Sequence, residues 1–220
     1  MNQVNKGMII WYILSFLCLL GSLETQAQFY VGIKGGYSIP FTTSQELKLD
    51  DANDFFIYRL GFQNQTISPV VSILGYYRKD LIYFQTELQY KTVRTRFRTE
   101  NFIDLDNIMM DMRTRVTRHL DVPFVAGIRI DRFKLGVGPT FSFILDDENI
   151  FEDVSFFDER RGNFEMGFGF HFGVIVYRLH IDLSYQVRFN QLADYVTWRN
   201  VPLGLDQQIQ YLDLGMALMF

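Results

Sequence analysis

From Gln28 to Phe220 the chain repeats one pattern: long runs in which every second residue is apolar. Residues 179–191 read LHIDLSYQVRFNQ, with Leu179, Ile181, Leu183, Tyr185, Val187 and Phe189 on one parity and His180, Asp182, Ser184, Gln186 and Arg188 on the other. A period of two is the period of a β-strand, so each run has one apolar and one polar face. The runs cover residues 29–37, 66–77, 81–95, 116–130, 133–145, 163–176, 179–191 and 208–220. Most of them exceed the length of about five or six residues usual in globular sheets. No helical period is sustained in this region, and no apolar run there reaches the length of about 20 residues that a membrane-spanning helix needs.

The connections add a constraint. Residues 78–80, 131–132 and 177–178 make very short links, while 38–65, 96–115, 146–162 and 192–207 make long ones, mostly polar or charged. Short and long alternate strictly. This order predicts an all-β fold, an eight-stranded antiparallel up-and-down transmembrane β-barrel with short periplasmic turns and long extracellular loops. Both ends of the barrel domain, residues 28–220, then lie on the short-turn side.

The two parities decide which face meets lipid. One carries Ile82, Phe84, Leu88 and Tyr90, then Phe133, Leu135, Val137, Phe141 and Phe143, and later Leu212, Leu214, Met216, Leu218 and Phe220, with no charge among them. The other carries Lys34, Glu87, Lys91, Asp121, Arg129, Lys134, Glu165, Asp182, Arg188 and Asp213, interleaved with glycines. A small barrel's interior is too narrow for so many Phe rings, whereas a lipid-facing surface has room for them. Turning the charged face to lipid would cost about 2–4 kcal/mol for each Lys or Arg near the midplane. Aromatics near the strand ends (Phe29, Tyr77, Tyr83, Phe133, Tyr177, Tyr185, Tyr211 and Phe220) suit interfacial girdles. The run TISPVVSILGYY (66–77) is apolar on both parities and does not discriminate.

Residues 1–27 differ from the rest. Lys6 precedes the apolar run MIIWYILSFLCLL (8–20), and Thr25 and Ala27 stand three and one residues before a cleavage point at Gln28. Charged, apolar and small segments in this order predict a secretory signal peptide. The alternatives are an uncleaved anchor and a lipoprotein reading of Cys18, the second disfavoured by the bulky Phe16 and Leu17 before it. Cys18 is the only cysteine, so a mature chain has no disulfide. The net charge of −4 gives no general attraction to nucleic acid.

The segments AQFYVGIKGGYS (27–38), LDVPFVAGIRI (120–130) with FKLGVGPTFSF (133–143) after it, and the terminal YLDLGMALMF (211–220) resemble the small outer-membrane β-barrel proteins of Bacteroidota grouped as PorT-like. The resemblance spans essentially all of 28–220. It implies a cell outer-membrane location and a terminal strand, with Tyr211, Leu218 and Phe220, read by the barrel-assembly machinery. It defines no activity.

Five acidic and five basic residues on the inner parity predict a paired, hydrogen-bonded plug, since buried charges need partners. A narrow gated pore is the competing reading. Catalysis is not expected: His180, Asp182 and Ser184 stand about 7 Å apart along one strand, which does not build a Ser–His–Asp chain. His119, His171 and His180 lie on separate strands without zinc-ligand spacing, so neither a metal nor another cofactor is expected. On the outward parity above the belt, Arg94, Arg96, Arg98 and Arg118 would sit at headgroup height, either contacting lipopolysaccharide phosphates or pairing with Glu100, Asp104, Asp106 or Asp111. The loop segments DDANDFFIYRLGF (50–62) and DDENIFEDVSFFDERRG (146–162) offer a protein-partner site, or alternatively a loop cap or short helix over the barrel mouth. The role expected is an anchor or scaffold presenting extracellular loops, with a narrow channel for small solutes as the alternative.

Overall fold

The computed structural model describes residues 28–41, 46–50, 56–104, 107–147, 157–160, 162–189, 195–198, 201–203 and 209–220. The expected signal peptide, residues 1–27, lies outside them, as does Asp106. Among the described residues thirteen strands run in chain order: β1 (Gln28–Phe41), β2 (Glu46–Asp50), β3 (Phe56–Gln65), β4 (Ser68–Lys79), β5 (Ile82–Asp104), β6 (Asn107–Ile130), β7 (Phe133–Asp147), β8 (Phe157–Arg160), β9 (Phe164–Val176), β10 (Leu179–Arg188), β11 (Tyr195–Trp198), β12 (Val201–Leu203) and β13 (Gln210–Met219). The described residues contain no helix.

Eight strands close a ring. β1 pairs with β4, then β5, β6, β7, β9, β10 and β13 follow as neighbours, and β13 returns to β1, every pairing antiparallel. Closure leaves no free edge in the ring, so each wall strand is hydrogen-bonded on both sides. The two-residue turns are Asp80–Leu81, Asp131–Arg132 and Tyr177–Arg178. The first residue of each is left-handed, with φ of 53°, 53° and 57°. Asp tolerates that conformation well; Tyr177 does not, and its ring stands fully in the open.

The parities fall as the alternation demands. Phe29, Ile33, Phe84, Leu88, Phe133, Leu135, Phe170, Phe172, Leu214 and Leu218 are exposed on the outer wall. On the inner side, Leu74, Tyr76, Tyr83, Val125, Ile175, Ala217 and Met219 make an apolar layer near the short turns. Above it the interior is mostly polar, with Val70, Val93 and Tyr211 buried among the charges. The inconclusive 66–77 run is explained by this layer. Within β4, Ser68, Val70, Ser72, Leu74 and Tyr76 face inward, and the last two belong to the apolar layer, so that strand needs no polar face there.

Two expectations are corrected. Tyr83 and Tyr211 are not girdle residues but are buried inside the ring. They stand at strand ends, yet their parity is inward, and parity decides. The long connections are also less loop-like than expected. β1 continues to Phe41, and β2 and β3 fill much of the first connection, with β3 pairing along upper β5. The second connection is the continuation of β5 and β6, paired up to Asp104 and Asn107. Upper β5 keeps the period of two, with Val93, Thr95 and Phe97 buried and Arg94 and Arg96 exposed, but its outward residues are charged instead of apolar, so the apolar stripe that marks the wall ends there. β11 pairs with β8 on one side and β12 on the other in a small separate sheet.

Candidate functional site

The inner face of the ring brings nine of the ten expected charges into burial: Lys34, Glu87, Lys91, Asp121, Lys134, Glu165, Asp182, Arg188 and Asp213. Nearest the apolar layer, Lys34 Nζ lies 2.9 Å from Glu87 Oε1 and 3.8 Å from Asp182 Oδ2. Lys134 Nζ lies 2.7 Å from Asp182 Oδ1 and donates to Gln85 Oε1 at 2.7 Å. Glu87 also accepts from Gln85 Nε2 at 2.7 Å, Gln89 Nε2 at 2.6 Å and Ser72 Oγ at 3.2 Å. A carboxylate holding this many donors can remain ionised away from bulk water.

A second group lies toward the long-connection end. Lys91 Nζ is 2.6 Å and Arg188 Nη2 2.9 Å from Asp121 Oδ2, while Ser142 donates to Oδ1 of the same carboxylate. Arg188 Nη1 also donates to Glu165. The Tyr211 ring lies under both cations, with Lys91 Nζ 4.4 Å and Arg188 Cζ 4.7 Å from its centroid. Gln186 Nε2 donates to Asp213 Oδ2 at 2.8 Å. The inward glycines make this packing possible: a β-carbon on Gly173 would collide with Lys134 and Asp182, and one on Gly215 with Lys34.

Arg129 departs from the expected set. It has the inward parity but stands half-buried at the short-turn rim, its Nε donating to the Asp131 carbonyl at 2.9 Å. The pair Arg115–Asp147 was not anticipated: Arg115 is buried, and its Nε donates to Asp147 Oδ1 at 2.6 Å. A β-bulge sets this up. Arg118 pairs with Asp146 but His119 with Ile144, so Leu145 is an extra residue on β7. Beyond it Asp146 turns outward to Arg118 and Asp147 inward to Arg115 and Thr117. Strict alternation could not reveal that slip.

His119 Nδ1 lies 3.3 Å from Ser142 Oγ and 3.3 Å from Arg188 Nη1. His171 and His180 are buried on other strands, and the described residues hold no group of three or more His, Cys, Asp or Glu able to bind a metal. Outside, Arg94, Arg96 and Arg118 are exposed and Arg98 is half-buried. Of the residues expected in an assembly signal, Tyr211 is inside the ring, whereas Leu218 and Phe220 are exposed on the outer wall.

Closed ring, buried ion pairs and an apolar exterior define the class: an eight-stranded antiparallel β-barrel with its polar residues inside. No family model matches the chain, and no curated protein matches it. Among solved structures it is similar to Neisserial surface protein A (NspA), at 13% identity and a TM-score of 0.40, over 89% of this chain and 100% of that one. It is also similar to Ail, the attachment invasion locus protein of Yersinia pestis, at 13% identity and a TM-score of 0.42, over 88% and 99% of the two chains. A third is the outer membrane protease OmpT from Escherichia coli, at 9% identity and a TM-score of 0.37, over 88% and 96%. Likeness this distant defines no family and transfers no activity.

Proposed function

We propose that the chain is an integral outer-membrane barrel with a structural role: a sealed anchor that presents the β5–β6 hairpin and the neighbouring connections outside the cell. The observation that carries this reading is the inversion of its faces. Large apolar side chains cover the outer wall while Lys34, Glu87, Lys91, Asp121, Lys134, Asp182 and Arg188 are paired within it. In water such a wall is an apolar patch far larger than soluble monomers tolerate. In a bilayer it is the required lipid-facing surface, and the closed ring satisfies the backbone. The signal-peptide pattern and the motif resemblance to PorT-like barrels point the same way. A channel would need a continuous aqueous path, and the layer formed by Leu74, Tyr76, Tyr83, Val125 and Ile175 lies across the turn end. Outer-membrane fractions run on gels with and without boiling test the placement. The folded protein is expected to migrate faster unboiled, and recovery in the soluble fraction without a heat-dependent shift would reject it.

A further inference from the structure

Above the closed ring, β5 carries Arg94, Arg96 and Arg98 on its outward parity. The apolar outward positions Leu88 and Tyr90 lie below, followed by Thr92, which pairs across with Arg118. Successive outward positions are about 7 Å apart along a strand, so the arginines start just beyond the apolar belt. The ring ends at the same level: Thr66 N–H donates to the Arg94 carbonyl, immediately before β4 begins at Ser68.

The four arginines are not equivalent. Arg118 Nη1 is 2.7 Å from Asp146 Oδ2, and Arg98 Nη2 donates to Met110 Sδ at 3.2 Å. Arg94 and Arg96 are exposed, and among the described residues neither guanidinium has a hydrogen-bonding or ionic partner. Opposite them on β6 stand Val116 and Thr114, and Ile67 is exposed beside the Arg94 rung. Two open cations thus sit directly over apolar wall, which is the profile of an amphiphile with an anionic head. A guanidinium presents a planar fork that matches phosphate oxygens in pairs.

We propose that Arg94 and Arg96 form a binding site for the phosphate groups of outer-leaflet lipid, with Arg98 and Arg118 as flanking residues already engaged by the protein. This rests on the membrane placement proposed above. The test reconstitutes the full-length protein into phosphatidylcholine vesicles containing either diphosphoryl lipid A or its dephosphorylated form. Lipid retained through detergent extraction is then measured. The wild type is expected to retain about tenfold more of the phosphorylated lipid, and R94Q/R96Q to lose that preference. R118Q should keep it. Equal retention of the two lipids by the wild type, or an unchanged preference in R94Q/R96Q, overturns the site. Loss of the preference in millimolar inorganic phosphate assigns the site to free phosphate and overturns the lipid assignment. If R94Q/R96Q does not fold, R94K/R96K decides: a point charge in place of the fork should reduce the preference, and no reduction counts against the site. A wild type that stays in the aqueous phase without vesicles rejects the membrane placement instead, an outcome distinct from all of these.

Discussion

Gly127 has no space for a β-carbon, which would meet the Leu135 carbonyl oxygen and stand 2.7 Å from Tyr83 Cε1. Gly127→Ala should therefore cost about 1–3 kcal/mol, read as a lower urea midpoint of the folded barrel in lipid vesicles. Gly35→Ala, on the outer wall with nothing within 4 Å, should leave the midpoint unchanged. Breaking one ion pair is more severe than removing it whole. Glu87→Gln leaves Lys34 with Asp182 at 3.8 Å as its ionic partner and should destabilise by about 3–5 kcal/mol, while K34M/E87Q should recover most of that loss in the same assay. Inward charges were legible one by one in the sequence because parity alone assigns them. Height was not. Arg129 has the inward parity but lies at the rim, and Tyr83 and Tyr211 stand at strand ends, where girdle aromatics are expected, although their parity is inward. Position along a strand says where the bilayer ends only after its neighbours' register is known.

At the scale of elements, the strands of the closed ring are readable, and the pieces beyond it are not. β7 and β9 alternate cleanly because each residue lies either on the apolar outer wall or in the packed interior. In its lower part the β5–β6 hairpin still alternates, with Val93, Thr95, Phe97, Arg115 and Thr117 buried, but its outward side chains are mostly charged or polar, so no apolar stripe marks it as a strand of the wall. The ring is complete without it, since β7 joins β6 only as far up as Thr117 and β4 joins β5 only as far as Lys91. Replacing residues 97–113 with a short Gly-containing turn should thus leave heat-dependent gel migration intact. Loss of the faster-migrating form would show that the hairpin is part of the barrel's folding core.

For the molecule as a whole, the two sortings combine into one expectation. Opposite charges are paired in two tiers above an apolar layer, and on the sealed-anchor reading proposed above the interior does not conduct. Purified protein in planar bilayers should show no stable conductance steps, and large sustained steps would overturn the sealed-anchor reading in favour of the channel. The continuity of β5 and β6 from the tight turns to the tip of the hairpin has a mechanical consequence. A pull on the hairpin runs along the strand axes, while the ladders to β4 and β7 lie across them. Load is then shared as shear over the full height of the wall instead of peeling one rung at a time. An attachment made at the tip would reach the bilayer through a stiff tether whose strength is set by the barrel itself.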